Sequence, residues 1–147
     1  MTYKELVNQL QEVIADHYFI NTQGYGELSD IEVPENEEPP NYPYAFINPV
    51  SMQSTRNNFT WTFNLILMTQ VNASQTDDLK GQDEMIQIIQ DICSTYMLTT
   101  DSPLMDILTP ITITPFKERF QDDVVGATAN ITLSYAKAID GCLIPSV

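Results

Sequence analysis

The side chains in this chain best suited to chemistry are one histidine, His17, two cysteines, Cys93 and Cys142, and two adjacent carboxylate pairs, Asp77-Asp78 and Asp122-Asp123. A single histidine excludes most zinc centres and most nucleophile–base triads, which need imidazoles in specific roles. The cysteines stand far beyond any C-x-x-C spacing, and no H-E-x-x-H, G-x-G-x-x-G or G-x-x-x-x-G-K-[ST] occurs. Gly24-Tyr25-Gly26 is too short to cradle a phosphate. The carboxylate pairs have the charge to hold a hard cation, but neither lies in the D-x-D-x-D-G loop that completes a calcium cage. Adjacent aspartates at such positions read as helix caps and turn residues that bond their own backbone. His17 falls at the end of the first helical pattern, where a donor suits the last carbonyls, so it reads as a helix-end residue. The expectation is a protein without catalytic residues, cofactor or metal.

Charge narrows the partners. Six Lys and Arg stand against twenty Asp and Glu, a formal net charge of -14 in 147 residues. Such a surface repels phosphates, so neither nucleic-acid clamping nor an anionic membrane fits. The acid is concentrated: Glu27, Asp30, Glu32, Glu35, Glu37 and Glu38 crowd one stretch, and no Lys or Arg stands between Lys4 and Arg56. The start of the chain lacks the pattern of an export signal, and no apolar run reaches the length of a membrane span. A cytoplasmic origin and free thiols at both cysteines are therefore expected.

These residues need elements to position them. Leu6, Val7, Leu10, Val13, Ile14 and Tyr18 repeat on one helical face, with Thr2 and Glu5 forming a capping box. The glycines of Asn21-Thr-Gln-Gly-Tyr-Gly-Glu are expected to end that helix. Pro34, Pro39, Pro40 and Pro43 make residues 21–43 a long acidic loop, with a short edge strand at most over Leu28–Val33. Tyr44–Asn48 predicts a short strand and Phe59–Val71 a long one, joined by a polar loop over Pro49–Asn58. A second helix follows, capped by Asp77 or Asp78 and carrying Leu79, Met85, Ile86, Ile89, Ile92, Cys93, Tyr96 and Met97 at helical spacing, with Pro103 beyond its end.

The final third reads as two strands about one charged break. From Val125 to Tyr135 apolar residues fall on alternate positions, with Gly126, Thr128, Asn130, Thr132 and Ser134 on the other face. On the incoming strand Ile111 and Ile113 share one parity and Phe116 and Phe120 the other, which predicts a bulge or bend at Pro115. Helix, two strands, helix, two strands make a single α+β domain over 1–147. Its sheet is mainly antiparallel, with two helices on one face and a polar second face.

Thr112-Ile-Thr-Pro-Phe-Lys-Glu-Arg-Phe-Gln-Asp-Asp-Val-Val-Gly126, the alternating strand after it and Cys142-Leu-Ile-Pro145 resemble small tailed-bacteriophage proteins of the tail terminator or neck (head-tail connector ring) family. His17-Tyr-Phe-Ile-Asn-Thr-Gln-Gly-Tyr-Gly-Glu27 and Tyr42-Pro-Tyr-Ala-Phe46 are similar to the N-terminal half of that family, so the likeness spans most of the chain. One departure is Ala127, where the family often has an aromatic residue. The resemblance implies a non-enzymatic virion protein with a twisted sheet and packed helices. Its members form homo-oligomeric rings that meet portal, connector ring or tail tube and let DNA pass.

A ring of roughly six or twelve copies would concentrate acid around its axis, so DNA would slide without being held. The expected interface residues are the loop acids Glu27, Asp30, Glu32, Glu35, Glu37 and Glu38, the aromatics Tyr42 and Tyr44, and the charged tip Lys117, Glu118, Arg119, Asp122 and Asp123. The expected location is the virion, after synthesis in the bacterial cytoplasm. Two rival expectations are a soluble acidic module docking a basic protein, and a metal-dependent hydrolase built on Asp77, Asp78, Asp122 and Asp123.

Overall fold

The computed structural model describes residues 2–28, 41–70, 78–98, 106–119 and 123–136. Helix α1 spans Tyr3–Ala15 and opens with the expected box: Glu5 N donates to Thr2 Oγ1 at 3.2 Å, and Thr2 N donates to Glu5 Oε2 at 2.9 Å. Leu6, Val7, Leu10 and Ile14 form its buried stripe. The helix stops at Ala15, well before the glycines, and Tyr18 lies beyond it with 89% of its surface exposed. Helix α2, Asp78–Leu98, buries Met85, Ile88, Ile89, Ile92 and Cys93, while Leu79 and Met97 face outward. No helix among the described residues is long and apolar enough to cross a membrane.

The strands are β1 (Thr22–Tyr25), β2 (Tyr44–Ser54), β3 (Asn58–Gln70), β4 (Asp106–Ile107), β5 (Thr112–Arg119) and β6 (Asp123–Ala136). They form one mixed sheet in the order β1-β2-β3-β6, with β4 and β5 both pairing along the outer side of β6. The fold is α+β, and every pairing is antiparallel except β1 with β2.

Strand β1 corrects the expected loop over 21–43, because Thr22–Tyr25 inside it forms an edge strand. Leu28 lies outside any strand, and residues 29–33 lie outside the described residues. Gly26 ends β1 at φ 147°, a conformation that L side chains rarely adopt, and its N–H donates to Ile47 O at 3.1 Å.

Two further expectations about strand phase fail, and for opposite reasons. Strand β2 continues through Pro49 to Ser54, where a loop was expected. A bulge at Val50 swaps its faces, so Ala45, Ile47 and Pro49 share the core side with Met52 and Ser54. Strand β5, in contrast, runs past Pro115 with unbroken register from Thr112↔Asn130 to Arg119↔Asp123. Pro115 is tolerated because β5 lies at an edge, and Phe116 changes parity because the opposite face also holds a core.

Both helices pack on one face, over Trp61, Phe63, Leu65, Leu67, Ala127, Ala129, Ile131 and Leu133. Trp61 stacks on Phe63 with centroids 4.3 Å apart and meets Tyr3 edge-on at 5.5 Å. The second face is not uniformly polar: Phe46, Ile66, Met68 and Val124 are buried there, with Tyr42, Tyr44 and Phe116 packed against them.

The rest of that face carries an amide relay. Asn130 Nδ2 donates to Asn64 Oδ1 (3.2 Å), Asn64 Nδ2 to Asn48 Oδ1 (3.3 Å), and Asn48 Nδ2 to Gly26 O (3.1 Å). Beside it the hydroxyls of Thr62 and Thr132 meet at 3.2 Å. These bonds tie four strands together side by side.

Candidate functional site

Past the end of α1 the chain turns and, with Pro43, leaves a concavity against α2. His17 N–H donates to Ile14 O at 3.1 Å, and Phe19 N–H donates to His17 Nδ1 at 3.3 Å. With Nδ1 accepting, Nε2 carries the hydrogen and donates to Asp91 Oδ2 of α2 at 2.9 Å. His17 thus sits at the end of α1, as its position predicts, but its side chain ties that end to α2 instead of meeting the last helix carbonyls. The tie sets Tyr18 and Phe19 outside, 89% and 61% exposed, with their rings edge to face at 5.4 Å.

Phe19 and Pro43 wall one side of a cavity of 320 Å³ against α2. Met85 and Ile88 make its apolar floor, and Asp83, Glu84 and Asp91 line it from the solvent side of α2. Asp83, Gln87 and Asp91 recur every four residues, which stacks them along one helix face. Such a site suits a group with an apolar stem and a cationic head, for its floor removes stem from water while the carboxylates stay hydrated.

A second surface lies at the far end of β2. Strand β1 pairs only with Tyr44–Ile47, so along its outer edge β2 from Pro49 to Gln53 pairs with no strand among the described residues. Every residue from Val50 to Asn58 is exposed, including the apolar Val50 and Met52. Thr55 closes the turn: its N–H and Oγ1 both donate to Asn58 O, at 2.8 and 3.0 Å, and Asn58 N–H donates to Thr55 Oγ1 at 3.0 Å. Arg56 and Asn57 stand at the tip, and Arg56 has no ion-pair partner among the described residues.

The expected interface residues scatter. Asp30, Glu32, Glu35, Glu37, Glu38 and Asp122 lie outside the described residues, as do Asp77 and Cys142. Glu27 is exposed just past β1. Tyr42 and Tyr44 are half-buried against the second apolar cluster, and Tyr42 O accepts from Asn21 Nδ2 at 2.7 Å, so they anchor the second face. Lys117 pairs with Asp78 at 2.8 Å and fastens β5 to the start of α2. Glu118 and Arg119 end β5, and Asp123, in register with Arg119, opens β6.

Among the described residues no three His, Cys, Asp or Glu side chains come together as a metal site would require. Burial pushes the Cys93 thiol up to about 11 and raises the Tyr96 hydroxyl beside it, so both are neutral core groups at neutral pH. Burial, then a hydrogen bond with Tyr25, raises Tyr3 as well.

No protein-family model and no curated protein matches this chain. Sequence reasoning passed over the residues that make these two surfaces: Phe19, Asp83, Glu84 and Asp91 at the groove, and Val50, Met52 and Arg56 at the strand end. The four-residue spacing of Asp83, Gln87 and Asp91 was a visible signal of a polar helix face. Nothing in the spacing announces that Phe19 and Pro43 close over it.

Proposed function

We propose that the chain is a ring-forming structural subunit of a tailed-phage virion, either the tail terminator or a neck ring joining the portal region to the tail. The observation that carries this reading is the outer half of β2: an uncharged sheet edge bearing exposed Val50 and Met52. A strand edge with no paired strand among the described residues can template another chain, and beyond Pro49 and the bulge at Val50 this one carries no charge to blunt it. The resemblance to neck and terminator proteins supports the same reading, and no feature of the described residues converges as a catalytic constellation would.

The net charge of -14 then has a use, since copies arranged around an axis would present phosphates with a repulsive wall and leave DNA free to slide. The two candidate surfaces are unlike each other, as a head-to-tail ring contact requires. Purified full-length protein is expected to form closed rings in negative-stain electron microscopy and a discrete oligomer in light scattering. A monomer at every concentration, together with its absence from purified virions by mass spectrometry, removes the proposal.

The acidic groove favours a second reading, a soluble module docking a basic protein. Salt-sensitive capture of a cationic partner by a monomeric chain would select it.

A further inference from the structure

We propose that Arg56, at the β2–β3 turn of one copy, docks into the Phe19–Pro43 groove of a neighbouring copy and pairs with Asp83 and Glu84. The inference rests on the ring-subunit reading and names the contact that would build the ring. Charge complementarity selects the occupant. The chain holds only six Lys and Arg: Lys117 is committed to Asp78, Lys80 sits on the acceptor helix itself, Lys4 sits in the first turn of α1, Arg119 ends β5 in register with Asp123, and Lys137 lies outside the described residues. Arg56 alone of these stands on a turn tip with exposed residues on both sides and no partner among the described residues.

The groove matches it. Asp91 is held by His17, which leaves the exposed carboxylates of Asp83 and Glu84 without an ion-pair partner among the described residues. A guanidinium can fork to those oxygens while its stem lies on Met85 and Ile88 and its plane meets the ring of Phe19.

Geometry forbids the contact within one chain and suits it between two. Pro43 of the groove immediately precedes β2 and Arg56 follows its last residue, Ser54, so the two sites are separated by the length of the strand, roughly 35 Å at its rise per residue. Donor and acceptor at opposite ends of one strand make a heterologous contact, which repeats from copy to copy until it closes.

A charge-reversal cycle on the full chain tests this, with oligomer size by mass photometry across a concentration series and a thermal melt to verify folding. Arg56→Glu, and separately Asp83→Lys with Glu84→Lys, should each raise the concentration for half-assembly at least about tenfold, and all three changes in one chain should restore it. If wild type forms rings and Arg56→Glu forms them equally well, or if the combined variant is not restored, the docking is overturned and the ring reading stands. If wild type forms no ring at any concentration, the docking is overturned, and the ring reading falls with it when the protein is also absent from purified virions.

Discussion

Replacing Gly126 by alanine tests how tightly β3 and β6 are drawn together. A Cβ at residue 126 would lie 1.8 Å from Leu67 O and 3.1 Å from Met68 Cα, both backbone atoms of β3 that no rotamer change can move. The carbonyl must retreat to at least 3.0 Å, so the ladder bonds flanking the Met68–Gly126 pair break or bend severely. Two such bonds at about 1 kcal/mol each, with about 1–2 kcal/mol for overpacking, give a loss of about 3–4 kcal/mol.

For a chain of this size that loss corresponds to a fall in Tm of about 10 °C. Differential scanning fluorimetry or circular dichroism on Gly126→Ala reads it directly, with Thr128→Ala on the same face of β6 as a control expected to shift little. A Gly126→Ala melt within about 2 °C of wild type would refute the close-approach argument. The same argument explains the whole Val124-Val125-Gly126 run. Val124 packs in the second apolar cluster, Val125 fills the space that Gly81 of α2 leaves open, and Gly126 admits the Leu67 carbonyl.

Other outcomes follow from single contacts. Asn64→Ala removes the centre of the amide relay and leaves Asn48 Oδ1 and Asn130 Nδ2 without it, so urea unfolding should show a loss of about 1–2 kcal/mol. Cys93, neutral in the fold up to about 11 against an ordinary 9.0, contributes stability that is fully present below pH 9.0 and lost as pH rises through about 11. A melt series across that window should fall in the wild type and fall less in Cys93→Ala, and native protein at pH 8 should resist thiol labelling at Cys93 until unfolded. Arg119→Glu and Asp123→Lys, at facing positions of the β5–β6 pair, should leave the melt unchanged and reduce particle assembly. Normal yields of complete particles from both variants would make that tip a plain turn.

Local rules are legible in the residues themselves. The capping box of Thr2 and Glu5 satisfies its own helix, so no distant contact was needed to place the start of α1. The alternation from Val125 to Tyr135 defined β6 because a period of two has one simple solution when the polar set is this consistent. The amides of the relay were likewise readable as polar-face residues. Their partners were not, because register between β2, β3 and β6 is a relation among segments far apart in the chain.

Tertiary structure decided whatever depended on both faces or on a neighbour. Ile66, Met68 and Phe116 break the alternation because the second face holds a core of its own, and a pattern rule built for one buried face reads them as a slip. Strand β1 is too short and too rich in glycine to declare itself, and exists because Tyr44–Ile47 offers it an edge. The groove needs Phe19, Pro43 and α2 to meet across more than sixty residues of chain, a meeting arranged by His17 and Asp91. By itself the sequence determined an acidic α+β chain with a capped first helix and a well-marked last strand. Concavity, exposed edges and the distance between Arg56 and Asp83 are properties of packing, because only packing sets where one segment ends relative to another.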